Sequence, residues 1–180
     1  MAKIKVVYKN SPFYRKVRIG DELISINEKT VHDVLDYLFF SADDGPVTLT
    51  VRRNGKLMKF SEEITEGDLR LEFEEYLMDE HRSCKNKCVF CFIDQLPKGM
   101  RPTLYYKDDD FRLSLLCGNY VTLTNLSEED VERILALKVS PLNVSVHTTE
   151  PELRVQMMQN PRAGELFPLL KRFAEAGINL

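Results

Sequence analysis

Three cysteines, Cys84, Cys88 and Cys91, fall within eight residues of a 180-residue chain that has four in all. Thiolates this close together can hold a metal, and the arrangement C-x3-C-x2-C narrows the choice. A cubane iron–sulfur cluster takes cysteine thiolates at its iron corners, normally four. Three on one short loop leave one iron without a protein ligand, open to a chelating molecule. Zinc is the competing reading, since it wants four ligands. His81 would complete a set of three cysteines and one histidine, and Cys117 a set of four cysteines. Spacing alone favours iron over zinc. A disulfide framework is not expected: the start Met1-Ala2-Lys3-Ile4-Lys5 is no secretory leader, and the cytosol keeps thiols reduced. Cys117, standing apart, reads as a small buried hydrophobe.

Other polar groups near the cysteines carry weaker signals. Asp108, Asp109 and Asp110 form a run of carboxylates, which reads as a solvated loop because calcium sites need spaced oxygen ligands. Lys85, Lys87, Lys98, Arg101 and Lys107 bring positive charge near the thiolates, with solvated lysines as the plain alternative. His147 ends a predicted strand, where it could meet a ligand. A lone histidine is more often structural, although its titration near neutrality keeps it of interest. Asn125, after Thr124, shapes the turn before a helix or contacts a ligand.

The composition excludes some partners. Charges nearly cancel, at 25 basic against 28 acidic residues. Nucleic acid and anionic membrane surfaces are not expected as partners, since both need a basic surplus or stripe. No apolar stretch reaches a membrane-spanning length. A soluble cytoplasmic protein is the expectation.

Local patterns supply the elements. Ile4, Val6 and Tyr8 alternate as a half-buried strand, Asn10-Ser11-Pro12 is a turn, and Leu23-Ile24-Ser25-Ile26 is a second strand after Gly20-Asp21. Val31, Val34, Leu35 and Leu38 have helical spacing, and Asp43-Asp44-Gly45-Pro46 ends that helix. Val47, Leu49 and Val51 alternate again before Asn54-Gly55, a two-residue hairpin turn into Leu57 to Phe60. The acidic stretch from Ser61 to Gly67 reads as a linker, and Leu69, Leu71 and Phe73 as a strand leading to the cysteines. Beyond them, Tyr120 to Thr124 and Leu142 to His147 are predicted strands. Ser127-Glu128-Glu129-Asp130 starts a helix with Val131, Ile134 and Leu135 on its apolar face. Residues 163–176 form a second helix, ended by Gly177, and Ile178-Asn179-Leu180 opens a further strand. Strands alternating with helices imply a parallel sheet, open or curled into a barrel.

Two resemblances follow from these residues. Ser11-Pro12, Ile19-Gly20-Asp21-Glu22-Leu23-Ile24-Ser25-Ile26-Asn27 and the closing Val47 to Lys56 resemble a PDZ domain. That implies a peptide or protein ligand added to a sheet edge. No Gly-flanked apolar loop is present to hold a carboxylate, so a structural role is at least as well supported. The cysteine loop, with Phe90 directly before Cys91, resembles the signature of the radical S-adenosylmethionine (SAM) superfamily. The match extends through Cys88 to Arg101, Lys107 to Ser114 and Gly118 to Leu126. Together these segments resemble a bacterial family of radical SAM proteins with an N-terminal PDZ domain and a C-terminal domain of unknown function.

The resemblance implies that Cys84, Cys88 and Cys91 ligate a [4Fe-4S] cluster whose open iron chelates SAM. An electron from a separate, unknown donor then cleaves SAM to a 5′-deoxyadenosyl radical that acts on an unknown substrate. Phe90, Phe92, Thr124 and Asn125 are the implied SAM contacts, with Thr124-Asn125-Leu126 standing where related barrels carry Gly-Gly-Glu. The implied fold is α/β: a PDZ-like mixed β module over 1–62, a linker and lead-in strand over 63–83, and the first units of a partial (β/α) radical SAM barrel over 84–180. The family continues through more strand–helix units, so this chain is expected to be an N-terminal portion. Two further readings remain at this point: a PDZ-type binding module with a structural zinc loop, and a cluster that transfers electrons without SAM.

Overall fold

Apolar side chains buried from three strands build the first half of the chain. Ile4 lies in β1 (Ile4–Val7), Leu23 and Ile26 in β2 (Glu22–Ile26), and Val47, Leu49 and Val51 in β4 (Gly45–Arg53), all essentially excluded from solvent. The computed structural model describes residues 2–65 and 68–180, and the chain divides into two units at the Glu80–His81 junction. β3 (Lys29–Thr30), β2, β4 and β5 (Lys56–Ile64) lie side by side in that order in an antiparallel sheet. Both hairpins turn on two residues with positive φ, Asn27-Glu28 and Asn54-Gly55, the geometry that matches strand twist. Helix α1 (Val34–Phe40) starts at Asp33, whose carboxylate accepts the N–H groups of Leu35 and Asp36. Val31 falls before that cap and Leu38 is exposed, so the helix is shorter than its apolar spacing suggested.

The Ser-Pro and Gly-Asp positions are both fixed by hydrogen bonds. The buried Ser11 hydroxyl donates to the Leu69 carbonyl (2.6 Å). Asp21, 2 % exposed, accepts both arms of the Arg53 guanidinium at 2.7 Å and the Arg18 N–H at 2.8 Å. Two expectations change here. Ser61 to Ile64, read as the start of a linker, continue β5 and bury Ile64; Glu66 and Gly67 lie outside the described residues. β6 (Leu71–Phe73) pairs antiparallel with β1, Ile4 opposite Phe73, and so belongs to the first unit instead of leading to the cysteines.

In the second unit, α2 (Phe111–Cys117) ends at Gly118, which takes φ +75°. β7 (Tyr120–Val121) pairs in parallel with β8 (Asn143–Val144), and α3 (Glu128–Leu137) connects them. α3 opens with a complete capping box between Ser127 and Asp130. α4 (Pro151–Met158), a 3-10 turn over Pro161–Glu165 and α5 (Leu166–Glu175) follow. The core of this unit gathers Phe111, Val121, Val131, Ile134, Leu142, Met158 and Phe173. The architecture is α/β, with a parallel strand–helix–strand unit as expected.

The strands are shorter than their sequences predict, and Arg154 is the reason. Its side chain, 1 % exposed, donates to the carbonyls of Val146 (2.9 Å), Ala163 (2.8 Å), Thr122 and Ser145 (both 3.0 Å). Three of those carbonyls, of Thr122, Ser145 and Val146, lie in the predicted strands and turn to the guanidinium instead of a ladder. Leu123 and His147, both at φ +62°, mark where the two segments leave extended geometry. Ile178 to Leu180 form no strand, although the Asn179 carbonyl accepts the Leu142 N–H. Among the described residues no helix is long and apolar enough to cross a membrane.

Candidate metal centre

The cysteine loop is held by backbone on both sides. The Cys84 N–H donates to the Lys107 carbonyl (2.8 Å), and Ser83 bridges Asp108. Lys87 and Val89 donate to the carbonyls of Met158 (3.0 Å) and Met157 (2.9 Å), the last turn of α4. Those carbonyls are unpaired inside the helix, so the loop takes the place of a cap. The Cys91 N–H returns to the Cys88 carbonyl (3.1 Å), curling the chain around the three sulfurs.

All three cysteines are half-buried and line one cavity of about 570 Å³. Phe90, Phe92, Ile93, Tyr106, Tyr120 and His147 make one part of its other walls, and Lys107, Asp108, Asp109 and further polar side chains the rest. Phe90 packs on His147, ring centroids 4.9 Å apart. Phe92 and Tyr120 are 74 % and 70 % exposed, so large apolar rims stand open beside the thiols. Among the described residues no three His, Cys, Asp or Glu side chains converge as ligands of a single metal ion.

Electrostatics at the site oppose bare thiolates. Burial, then the neighbouring Asp109 charge, pushes the Cys84 thiol up, against the pull of Asn86. Burial and the charges of Cys84 and Cys91 do the same to Cys88. Positive charge is supplied from two places. Lys107 donates to Asp94 (2.5 Å) and reaches Cys91, which together hold its ammonium above the usual range. Arg154 lies buried within electrostatic reach of Cys88 and Asp109, although burial itself draws its guanidinium down. Burial and Arg154 also lower His147, favouring the neutral ring.

Phe90 and Phe92, both singled out in the sequence, line the thiol cavity, and so does His147. Thr124 and Asn125 do not. They line a second cavity of about 310 Å³ with Lys85, Gln159, Asn160, Pro161 and Arg162. Thr124, 4 % exposed, donates to Asn86 Oδ1 (2.9 Å), and Asn125 donates to the Ser83 carbonyl (2.8 Å). Lys85, Lys87, Lys98 and Arg101 are exposed, as solvated side chains would be.

Two expectations are corrected. The Asp108–Asp110 run is no solvated loop: Asp109 and Asp110 are 4 % and 0 % exposed. Asp110 caps α2 and pairs with Arg112, also 0 % exposed, through bonds of 2.9 and 2.7 Å. Asp109 accepts both the N–H and the hydroxyl of Thr122 at 2.6 Å, and Asn119 donates to Asp108. Cys117 is exposed at the end of α2. Sequence reasoning also passed over Asn86, Thr122, Arg154 and Asn160, whose side chains or carbonyls join the cysteine loop to β7 and α4. The available signal was a short amide between two cysteines and an arginine alone among apolar neighbours.

A family model described as a radical SAM-like domain matches residues 63–180, about two thirds of the chain, and one described as a PDZ domain matches residues 3–53. No curated relative matches.

Proposed function

The chain belongs to the radical SAM-like domain family, and on that premise we propose that Cys84, Cys88 and Cys91 hold a [4Fe-4S] cluster with one iron left open for SAM. One observation carries the reading: the three thiols open together on a single cavity large enough for a cofactor and walled in part by aromatic side chains. The donor set fits. A multi-iron cluster takes its thiolates on different corners, and the three sulfurs share one cavity. When bound, the reduced cluster and SAM supply a 5′-deoxyadenosyl radical that removes hydrogen from a substrate.

The chain's own groups prepare that chemistry. Arg154 and Lys107 offset the negative charge of the thiolates in a low-dielectric setting. Phe90 and Phe92 flank the last cysteine, line the cavity and are the proposed cofactor contacts. His147 packs on Phe90 in the same cavity, and burial and Arg154 favour its neutral ring. Thr124 and Asn125 contribute by holding the loop at Asn86 and Ser83, with any direct contact made from the neighbouring cavity.

Anaerobic reconstitution tests the reading. Equal iron and inorganic sulfide, with a spectrum that shifts on adding SAM, is the expected result. Zinc without sulfide would replace it with a structural metal loop. Iron and sulfide with no response to SAM would leave electron transfer alone.

A further inference from the structure

Asn86 lies between two of the cysteines and is 4 % exposed. A primary amide has two N–H donors and two acceptor lone pairs, and here all four are used. Nδ2 donates to Cys84 Sγ (3.3 Å) and to Thr122 Oγ1 (3.0 Å). Oδ1 accepts from Thr124 Oγ1 (2.9 Å) and from Asn160 Nδ2 (2.7 Å).

The orientation of this amide is fixed from two independent directions. Asn160 Oδ1 accepts the Arg162 N–H (3.0 Å), so its Nδ2 must face Asn86, which has to answer with oxygen. Thr122 spends its hydroxyl hydrogen on Asp109 Oδ2 (2.6 Å), so it can only accept from Asn86, which has to answer with nitrogen. A flipped amide would set oxygen against the Thr122 lone pairs and the Cys84 sulfur, and amine against amine at Asn160. The surroundings therefore aim an N–H at one particular sulfur.

Resting on the cluster reading above, we infer that Asn86 is a positioning residue that presents a fixed N–H to the Cys84 sulfur and thereby raises the reduction potential of the cluster. Hydrogen bonds to cluster sulfurs are among the groups that set these potentials, and partners outside the ligand set orient the ligands themselves. A donor aimed at sulfur stabilises the more negative, reduced state. The consequence is a cluster easier to reduce than the same three cysteines would hold without it.

The test uses the full chain, reconstituted anaerobically, with midpoint potentials from redox titration followed by electron paramagnetic resonance. Asn86→Leu keeps the approximate size of the side chain and adds no charge, but removes the donor. Asn160→Ala removes the amide that fixes Asn86 Oδ1, again without adding charge, and frees the Asn86 amide to turn. Both variants are expected to shift the midpoint to more negative potential, Asn86→Leu by more. A wild-type midpoint in both at full iron loading overturns the inference. Cluster loss from a folded Asn160→Ala chain also overturns it, because the amide would then serve to assemble the site and not to set its potential. Should Asn86→Leu fail to fold, Asn160→Ala decides alone. A wild-type chain that takes up no iron and sulfide overturns the cluster reading itself, a different outcome from an unmoved potential.

Discussion

Asp110 and Arg112 are both sealed from solvent and are paired with each other. Burial pushes the Asp110 carboxyl up, but the Arg112 donors, with the Arg82 N–H, overcome it and hold the group below the ordinary carboxylate range. Its contribution to stability is therefore present above the unfolded value of about 3.9 and is lost as pH falls through the depressed folded value. Arg112→Met, which strands the carboxylate, should cost about 3–5 kcal/mol in denaturant unfolding at neutral pH; a loss under 1 kcal/mol would show the pair to be dispensable. The cysteines make a sharper case. Cys84→Ala, Cys88→Ala and Cys91→Ala should each lose the cluster, since a methyl group cannot ligate iron, while Cys117→Ala and His81→Ala keep full iron content. Iron analysis after reconstitution checks this, and full loading of any of the first three would remove that residue from the ligand set. The three cysteines were legible because ligand spacing is local in sequence. The burial of the aspartates was not: a carboxylate run carries no mark of what packs on it, and only Arg112, two residues further on, hinted at a buried partner.

At the level of elements, much of the first unit could be read from the sequence, because one buried face imposes a period of two on Val47, Leu49 and Val51 of β4 and Asn54-Gly55 names its own turn. The Asn27-Glu28 hairpin escaped, since Glu28 adopts φ +65° without being glycine and the turn is held instead by the Thr48 N–H on Asn27 Oδ1 (2.8 Å). In the second unit α4 was missed altogether. Its buried positions are Arg154 and Met158, so no apolar stripe announces it. The same arginine shortens β7 and β8, an effect that strand propensity cannot carry. Arg154→Met should destabilise this unit by about 3 kcal/mol, because several carbonyls lose their donor at once, and should weaken the seat that α4 gives the cysteine loop. Thermal unfolding of the chain before reconstitution measures the first effect, and unchanged stability would show that the carbonyls find other donors. The PDZ unit carries its own expectation. Lacking a Gly-flanked apolar loop, it should return no tight consensus from a library of peptide C-termini, and a clear consensus would show that another loop supplies the N–H groups.

Across the whole molecule there are two apolar cores, one around Leu49, Leu23 and Ile26 and another around Phe173, Ile134 and Val121, with the chain dividing between them. All three thiols belong to the second. Anything that binds the folded state and not the unfolded one stabilises it by mass action, and it does so for the cooperative unit that forms the site. Two thermal transitions are therefore expected, and they can be assigned by core truncation. Leu49→Ala should lower one and Phe173→Ala the other, each removing roughly 2–5 kcal/mol from its own unit. Reconstitution with iron and sulfide should then raise the transition that Phe173→Ala lowers and leave the Leu49-sensitive one where it was. Differential scanning calorimetry under anaerobic conditions reads both at once. A single transition that both substitutions move would show that the two cores fold as one. A rise of the Leu49-sensitive transition on reconstitution would place a metal-dependent contact in the first unit, where no cysteine stands.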